Sequence, residues 1–169
     1  MSNVTFILGG ARSGKSTYAE KLIDATGLPK VYIATAQAFD AEMERRIAEH
    51  QARRDGWTTV DAPLNLANAI HAQRGKGHAV LVDCLTLWLT NLLMAEYDIA
   101  SSYHVLLGVL RSADHPIVLV SNEVGLGIVP DNALARAFRD HTGRLHQMIG
   151  AEAAHVHFIA AGLPIKLKG

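Results

Sequence analysis

A glycine-rich segment near the start of the sequence has the residue types and spacing that phosphate binding needs. Residues 9–16 read GGARSGKS and fit the pattern G-x-x-x-x-G-K-S/T between an apolar run and a helical pattern. Glycines let the backbone turn its N–H groups towards phosphate oxygens, and the helix N-terminus adds partial positive charge. The segment predicts a nucleoside triphosphate site in which Lys15 bridges the β- and γ-phosphates and Ser16 holds Mg²⁺.

An acidic residue ends another apolar run. Asp83 follows Val80–Val82, and a carboxylate at the C-terminal edge of a buried strand is well placed to orient Mg²⁺. The same carboxylate can cap the helix predicted to start at Cys84, and the two roles are compatible. Cys84 itself lies in apolar surroundings and is predicted to be a small buried side chain.

A histidine among arginines lies on a helix predicted over 40–54. His50 shares one helical face with Arg54, and Arg46 and Arg53 lie about one turn away. Nearby guanidinium charges favour the neutral imidazole, which is a nucleophile, and guanidinium groups bind phosphates. This face could therefore attack a phosphorus atom. From the residues alone, a solvated charged helix with an incidental histidine is the better explanation of the pattern.

A loop with several turn signals follows the strand predicted over 115–122. Residues 122–132 read NEVGLGIVPDN, and ligands bind at the C-terminal ends of strands in open parallel sheets. We hypothesise that Asn122, Glu123 and this loop form the acceptor side of the site. A loop shaped for packing or for a subunit contact accounts for the same glycines and proline.

Apolar runs alternate with helical patterns along the chain. Strands are predicted at 4–8, 30–35, 78–83, 115–122, 155–162 and 164–168, and helices near 15–25, 40–54, 64–74, 84–96, 101–112 and 131–150. This order predicts an α/β fold with a mainly parallel sheet, covered on both faces, and a final hairpin that adds an antiparallel edge strand. Asp131 is predicted to cap the last helix. The helix at 84–96 is apolar on almost every side, which indicates a central position or a subunit contact.

Size and charge restrict the function further. The 169 residues predict one domain spanning 1–169. The formal net charge is zero, so the chain lacks the basic balance of a nucleic-acid binder. The most apolar stretch, 84–95, is too short to span a bilayer, and the N-terminus lacks a signal-peptide pattern. We expect a cytoplasmic protein with no membrane span and no nucleic-acid partner.

Several segments together resemble one known family. GGARSGKS, YIATAQAFDAEMERRIAEHQARR, VLVDCLTLWLTNLL and VSNEVGLGIVPDNALARAFRDHTGRLHQ are similar to the bifunctional adenosylcobinamide kinase / adenosylcobinamide-phosphate guanylyltransferase family of cobalamin biosynthesis. The resemblance implies that the aminopropanol hydroxyl of adenosylcobinamide is phosphorylated with ATP or GTP. It then implies transfer of GMP from GTP to that phosphate. It further implies a three-layer P-loop NTPase fold of the RecA-like type and a homotrimer.

The resemblance also implies roles for individual residues. His50 corresponds to the histidine that carries GMP covalently, Lys15 acts at the phosphates, and Ser16 and Asp83 hold Mg²⁺. The nucleotide contacts that it implies are Gly9, Gly10, Ala11, Arg12, Ser13, Gly14, Lys15, Ser16, Ala34, Thr35, Ala36, Gln51, Arg53, Arg54, Asp61 and Asp83. Ala36 stands where the family has a serine, and Asp61 and Asp83 stand where it has glutamates.

Two other functions fit the phosphate-binding segment. One is a P-loop kinase with a single activity, in which His50 is idle. The other is a nucleotide-dependent regulatory ATPase that has no small acceptor.

Overall fold

The computed structural model describes residues 3–37, residue 45 and residues 55–169. The strands are β1 (Val4–Gly9), β2 (Lys30–Ala34), β3 (Trp57–Asp61), β4 (Ala79–Asp83), β5 (Ile117–Asn122), β6 (His155–Ala160) and β7 (Leu163–Lys168). The helices are α1 (Lys15–Asp24), α2 (Leu66–His71), α3 (Leu85–Met94), α4 (Ile99–Arg111) and α5 (Ala133–Glu152).

The strands form one sheet in the order β3-β2-β4-β5-β1-β6-β7. All neighbouring pairs are parallel except β6 and β7, which are antiparallel. The predicted parallel sheet with an antiparallel edge strand is therefore confirmed. Because the central strands run in the same direction, their C-terminal ends lie along one edge of the sheet, where α/β folds bind ligands.

Apolar side chains cover both faces of the sheet. Along β4, Val80 and Val82 belong to one core cluster and Leu81 to another, because successive side chains of a strand point to opposite faces. The larger cluster includes residues of α2, α3, α4 and α5, and the smaller one includes Ala19 and Ile23 of α1. The predicted three-layer α/β architecture is confirmed.

The apolar helix α3 occupies the larger core. Leu85 and Leu89 are fully buried, and Trp88 is 2% exposed and donates its indole N–H to Leu64 O at 3.0 Å. Asn91, also buried, donates to Thr35 O at 2.8 Å and to Pro63 O at 3.0 Å. Of the two positions predicted for this helix, the structure shows the central one. The buried amide of Asn91 fixes the helix to the segments that follow β2 and β3.

Two local predictions were wrong. No strand was expected at β3, because Trp57–Asp61 is an edge strand whose two threonines are exposed and whose sequence lacks an apolar run. The cap of α5 is Asn132 rather than Asp131, because the helix begins at Ala133. The Asn132 Oδ1 accepts from the backbone N–H groups of Leu134 and Ala135, at 2.8 and 3.1 Å.

The outer strand β7 is exposed along its whole length. Leu163, Ile165 and Leu167 alternate with Pro164, Lys166 and Lys168, and Lys168 Nζ donates to the Gly150 and Ala151 carbonyls at the end of α5, at 2.9 and 2.7 Å. This contact anchors the edge strand to the C-terminal end of α5. In the part of the chain that the structure describes, no helix is long and apolar enough to cross a membrane.

A buried histidine joins α5 to the sheet. His146 is 9% exposed, its ring meets the Phe6 ring edge-on with centroids 5.5 Å apart, and its Nε2 lies 2.8 Å from Ser121 Oγ. Burial lowers the pKa of His146 from 6.5 to about 4, and the charge of Glu123 partly opposes that shift. The imidazole is therefore neutral at neutral pH in the folded protein.

This shift makes folding stability depend on pH. Below its ordinary pKa of 6.5, His146 takes up a proton in the unfolded chain but not in the folded protein, whose His146 pKa is about 4. Stability from this group is therefore complete above pH 6.5 and is lost as pH falls towards 4. We expect wild type to lose about 2 kcal/mol more than His146→Gln between about pH 7.5 and about pH 5, measured by urea unfolding. Equal losses in the two proteins would contradict the burial of this imidazole.

Candidate nucleotide and phosphoryl-transfer site

The phosphate-binding segment connects β1 to α1 at the C-terminal edge of the sheet. Gly14, with φ of 98°, occupies the N-cap position of α1 in a left-handed conformation that favours glycine. Gly9 has no room for a side chain, because a Cβ there would overlap the carbonyl oxygen of Ile159 in β6. The sequence folds locally as a tight loop because these two positions are glycine, and the loop presents the N-terminus of α1 to a ligand.

The loop has polar groups that are available to an anion. Ser13 Oγ is buried and has no hydrogen-bond partner among the residues that the structure describes. Gly10, Ala11 and Arg12 are exposed, and Arg12 has a left-handed φ of 54°, which non-glycine residues adopt rarely. On the other side, Gly162 N donates to Ser13 O at 2.8 Å and joins the loop to the turn between β6 and β7. The loop is thus bonded to the sheet on one side, and its exposed residues remain accessible to a ligand on the other.

Lys15 places its ammonium group inside this loop. The side chain is 7% exposed, and Nζ donates to Gly10 O at 2.5 Å. Burial lowers the pKa of Lys15, whereas the negative charge of Asp83 acts in the opposite direction. The ammonium therefore lies inside the loop and within the electrostatic influence of Asp83, where it can contact phosphate oxygens.

Ser16 and Asp83 face each other across this space. Ser16 Oγ donates to Asp83 Oδ2 at 2.8 Å, from the first turn of α1 to the last residue of β4. A hydroxyl and a carboxylate are the oxygen ligands that Mg²⁺ prefers, so the two side chains fit this ion. Over residues 3–37, 45 and 55–169, no group of three or more His, Cys, Asp or Glu side chains could hold a metal. Phosphate oxygens and water would therefore supply the remaining ligands, as is usual for Mg²⁺.

The strand register brings Ala34, Asp61 and Asp83 together. Ala34, the last residue of β2, pairs with Asp61 of β3 on one side and with Asp83 of β4 on the other. Asp61 is exposed, and Ala36 is half-buried just beyond β2. Asp61 in β3 and Asp83 in β4 thus lie on either side of β2, along the same edge of the sheet as the phosphate loop.

Thr35 has a structural task at this edge. It is fully buried, its hydroxyl donates to Cys84 O at 2.7 Å, and that hydroxyl also accepts from Cys84 N at 2.9 Å. Its carbonyl accepts from Asn91, so its polar groups already have partners within the protein. Thr35 therefore ties the end of β2 to the residue after Asp83.

Cys84 is 6% exposed, and burial raises the pKa of its thiol to about 11. This confirms the prediction that Cys84 is a small buried side chain.

Four residues predicted for the site lie outside the described residues: His50, Gln51, Arg53 and Arg54. The described residues continue from β2 to Gln37 and, apart from residue 45, resume at Asp55, just before β3. The roles of these four residues therefore stay predictions.

Sequence reasoning missed three polar residues beside the loop. Thr86, Ser121 and His146 are buried and form a hydrogen-bonded series next to Glu123. Ser121 and Thr86 could have been noticed as polar residues that interrupt apolar runs. His146 gave no such signal, because it was one of nine histidines and its partners are distant in sequence.

Beyond Glu123, the loop before α5 exposes apolar side chains. Leu126 is 82% exposed, Ile128 is 98% exposed and Val129 is 61% exposed. Leu134, in the first turn of α5, is also exposed. A carboxylate and an apolar surface therefore lie on the β5 side of the phosphate loop.

Comparisons with known proteins agree with this geometry. The family model described as CobU, cobinamide kinase / cobinamide phosphate guanyltransferase, matches residues 5–167. The bifunctional adenosylcobalamin biosynthesis protein CobP of Pseudomonas aeruginosa is 51% identical over 166 residues, which cover 96% of each chain. The bifunctional adenosylcobalamin biosynthesis protein CobU of Escherichia coli is 39% identical over 178 residues, which cover 96% of this chain and 98% of that protein.

Solved structures with a similar fold are more distant. The P4 protein from bacteriophage phi6 in complex with ADP aligns over 96% of this chain with a TM-score of 0.53 and 18% identity. An ATPase from the type III secretion system of pathogenic bacteria aligns over 98% with a TM-score of 0.59 and 13% identity. This chain spans 52% and 57% of the lengths of those two proteins. They confirm the P-loop NTPase fold, and the family match along almost the whole sequence shows that the chain belongs to the cobinamide kinase / cobinamide phosphate guanyltransferase family.

Proposed function

We propose that this chain phosphorylates adenosylcobinamide with ATP or GTP and then transfers GMP from GTP to the adenosylcobinamide phosphate. The products are adenosyl-GDP-cobinamide and pyrophosphate. The observation that carries the proposal is the hydrogen bond of 2.8 Å between Ser16 and Asp83, beside Lys15. The description of the family to which the chain belongs names both a cobinamide kinase and a cobinamide phosphate guanyltransferase. The relatives named above are bifunctional adenosylcobalamin biosynthesis proteins, which supports the corrinoid as the acceptor.

In the kinase step, the backbone of residues 9–16 binds the phosphates and Lys15 contacts the β- and γ-phosphates. The acceptor hydroxyl oxygen forms a bond to the γ-phosphorus, and the bond from that phosphorus to the leaving nucleoside diphosphate breaks. Ser16 and Asp83 would hold Mg²⁺, which when bound neutralises charge on the phosphate oxygens. The exposed apolar residues of the loop at 126–129 offer a surface for the large corrinoid.

In the transferase step, His50 is the proposed nucleophile. Its imidazole nitrogen forms a bond to the α-phosphorus of GTP, and the bond to pyrophosphate breaks. An oxygen of adenosylcobinamide phosphate then attacks that phosphorus and the nitrogen–phosphorus bond breaks. Gln51, Arg53 and Arg54 would contact the nucleotide, because amide and guanidinium groups bind phosphate oxygens.

The remaining nucleotide contacts follow the edge of the sheet. We propose that Ala34 and Ala36 contact the nucleotide between Asp83 and Asp61. Thr35, which is fully buried and bonded to Cys84, would hold this segment in place for those contacts. We propose that Asp61 accepts hydrogen bonds from the N1–H and amino group of guanine, which would favour GTP over ATP in the transfer. We further propose that residues 1–169 act as one domain, that three copies associate and that the enzyme works in the cytoplasm.

A labelling experiment tests the transferase. We expect GTP labelled with ³²P at the α-phosphate to leave acid-labile, base-stable label on the denatured protein, because a nitrogen–phosphorus bond has this stability. His50→Ala should abolish the label, whereas His104→Ala should retain it, since His104 is an exposed histidine of α4.

The other outcomes assign the other functions. Phosphorylation of adenosylcobinamide with no label on the wild-type protein would indicate a kinase with a single activity. Hydrolysis of nucleotide with no phosphorylated acceptor would indicate a regulatory ATPase.

A Mg²⁺ titration tests Asp83. Asp83→Asn keeps an oxygen that accepts from Ser16 but removes the negative charge, so the Mg²⁺ concentration for half-maximal kinase rate should rise about 10- to 100-fold. Asp140→Asn is the matched control, because Asp140 is an exposed acid of α5 that pairs with Arg139. The same Mg²⁺ dependence in all three proteins would remove Asp83 from the metal site.

A further inference from the structure

A series of hydrogen bonds runs from α3 through β5 to α5, beside the phosphate loop. The backbone N–H of Asn122 donates to Thr86 Oγ1 at 2.7 Å, and Thr86 Oγ1 lies 3.1 Å from Ser121 Oγ. Ser121 Oγ lies 2.8 Å from His146 Nε2. The opposite ring nitrogen, Nδ1, faces Glu123 Oε2 at 3.8 Å. The side chains of Thr86, Ser121 and His146 are at most 9% exposed, so water does not compete for these contacts.

Glu123 gives this series a direction. A carboxylate accepts and does not donate, so the His146 Nδ1 that faces Glu123 carries the ring proton and Nε2 accepts from the Ser121 hydroxyl. The Thr86 hydroxyl can then donate to Ser121, since Thr86 Oγ1 already accepts from the Asn122 N–H. The lowered pKa of His146, about 4, agrees with a ring that stays neutral.

Glu123 lies next to the phosphate loop. Its backbone N–H donates to Gly9 O at 3.0 Å, and the preceding residue, Asn122, pairs with Gly9 in the sheet. Oε1 accepts from the Gly125 N–H, and the side chain is 22% exposed. One oxygen is thus held by the backbone of the loop and the other faces His146, while lone pairs remain for a substrate.

The other acids of this edge are less suited to remove a proton from the acceptor. Asp83 accepts from Ser16 and belongs to the proposed Mg²⁺ site. Asp61 lies in β3, which is separated from β1 by β2, β4 and β5. Glu123 follows β5, the immediate neighbour of β1, and precedes the exposed apolar loop on which the corrinoid would rest.

We propose that Glu123 is the catalytic base of the kinase step and that His146 is a positioning residue, which orients the Glu123 carboxylate through its Nδ1–H. This inference rests on the kinase activity proposed above. The proton of the acceptor hydroxyl passes to Glu123 as the hydroxyl oxygen bonds to the γ-phosphorus and the nucleoside diphosphate leaves. The proposal requires the 3.8 Å contact to His146 to shorten to a hydrogen bond when substrate binds, as catalytic contacts commonly do.

The first test separates the two reactions of the enzyme. Glu123→Gln should lower kcat for phosphorylation of adenosylcobinamide about 10²- to 10⁴-fold. The KM for the nucleotide should stay within about twofold, because the amide keeps the shape of the side chain. Formation of the guanylylated protein, and GMP transfer to adenosylcobinamide phosphate prepared beforehand, should continue at the wild-type rate. Glu96→Gln, which changes an exposed glutamate after α3, should leave both reactions unchanged.

The outcomes distinguish the inference from the function on which it rests. An unchanged phosphorylation rate in Glu123→Gln overturns the inference, and so does an equal loss of both reactions in a protein with wild-type thermal stability. A wild-type protein that does not phosphorylate adenosylcobinamide overturns the proposed kinase function together with the inference.

A pair of substitutions tests the positioning role. In His146→Asn the amide nitrogen lies near the place of Nδ1, whereas in His146→Gln the amide lies near the place of Nε2. We expect His146→Gln to lower kcat for phosphorylation about 10- to 100-fold and His146→Asn to retain more of it. The KM for the nucleotide and the guanylylation rate should be unchanged in both.

The opposite order of the two variants overturns the role of the Nδ1–H. Ser121→Ala provides a second measurement with a smaller change in the core, since it frees the ring from its partner on β5. It should lower the same kcat with no effect on guanylylation, and a wild-type kcat in this variant also contradicts the proposal.

Discussion

Gly9 lets β1 approach β6 so closely that a Cβ would overlap the carbonyl of Ile159. In this position Gly9 pairs with Asn122 on one side and with Ile159 on the other, and the chain then turns into the phosphate loop. The parallel register fixes where the neighbouring strands end, so Asp83, Asn122 and Gly162 meet the loop from three directions. A larger residue at position 9 would separate the strands and displace these groups together.

Buried polar contacts give the edge of the sheet its shape. Thr35 links β2 to Cys84, Asn91 holds the segments after β2 and β3, and His146 with Ser121 links α5 to β5. Each contact lies one or two residues from a group that is proposed to bind nucleotide or to transfer a proton. Unsatisfied polar groups are costly inside a protein, so such contacts define one arrangement rather than several. The apolar clusters supply stability, and the polar contacts select the geometry of the site.

The sequence was most informative where one residue type decides the local structure. The unbroken apolar strands predicted the parallel sheet, and the glycines and Lys15 predicted the phosphate loop. β3 was missed because its exposed threonines give no apolar run, and the α5 cap was misplaced by one residue because Asp131 and Asn132 are both capping types. The contacts of Thr86, Ser121 and His146 could not be predicted, because the topology joins residues 35 and 25 positions apart. His50 remains a prediction, since it lies outside the described residues.

The exposed strand β7 has a consequence for association. Strand edges readily recruit further strands, and proline and lysine residues are common means of preventing this. In β7, Pro164 lacks one backbone donor, Lys166 carries a charge, and Lys168 is committed to the end of α5. The sheet is therefore poorly suited to grow into a continuous intermolecular sheet at this end. A copy of the chain that associates at this end would use contacts between side-chain surfaces, which leaves the hairpin free to support the phosphate loop through Gly162.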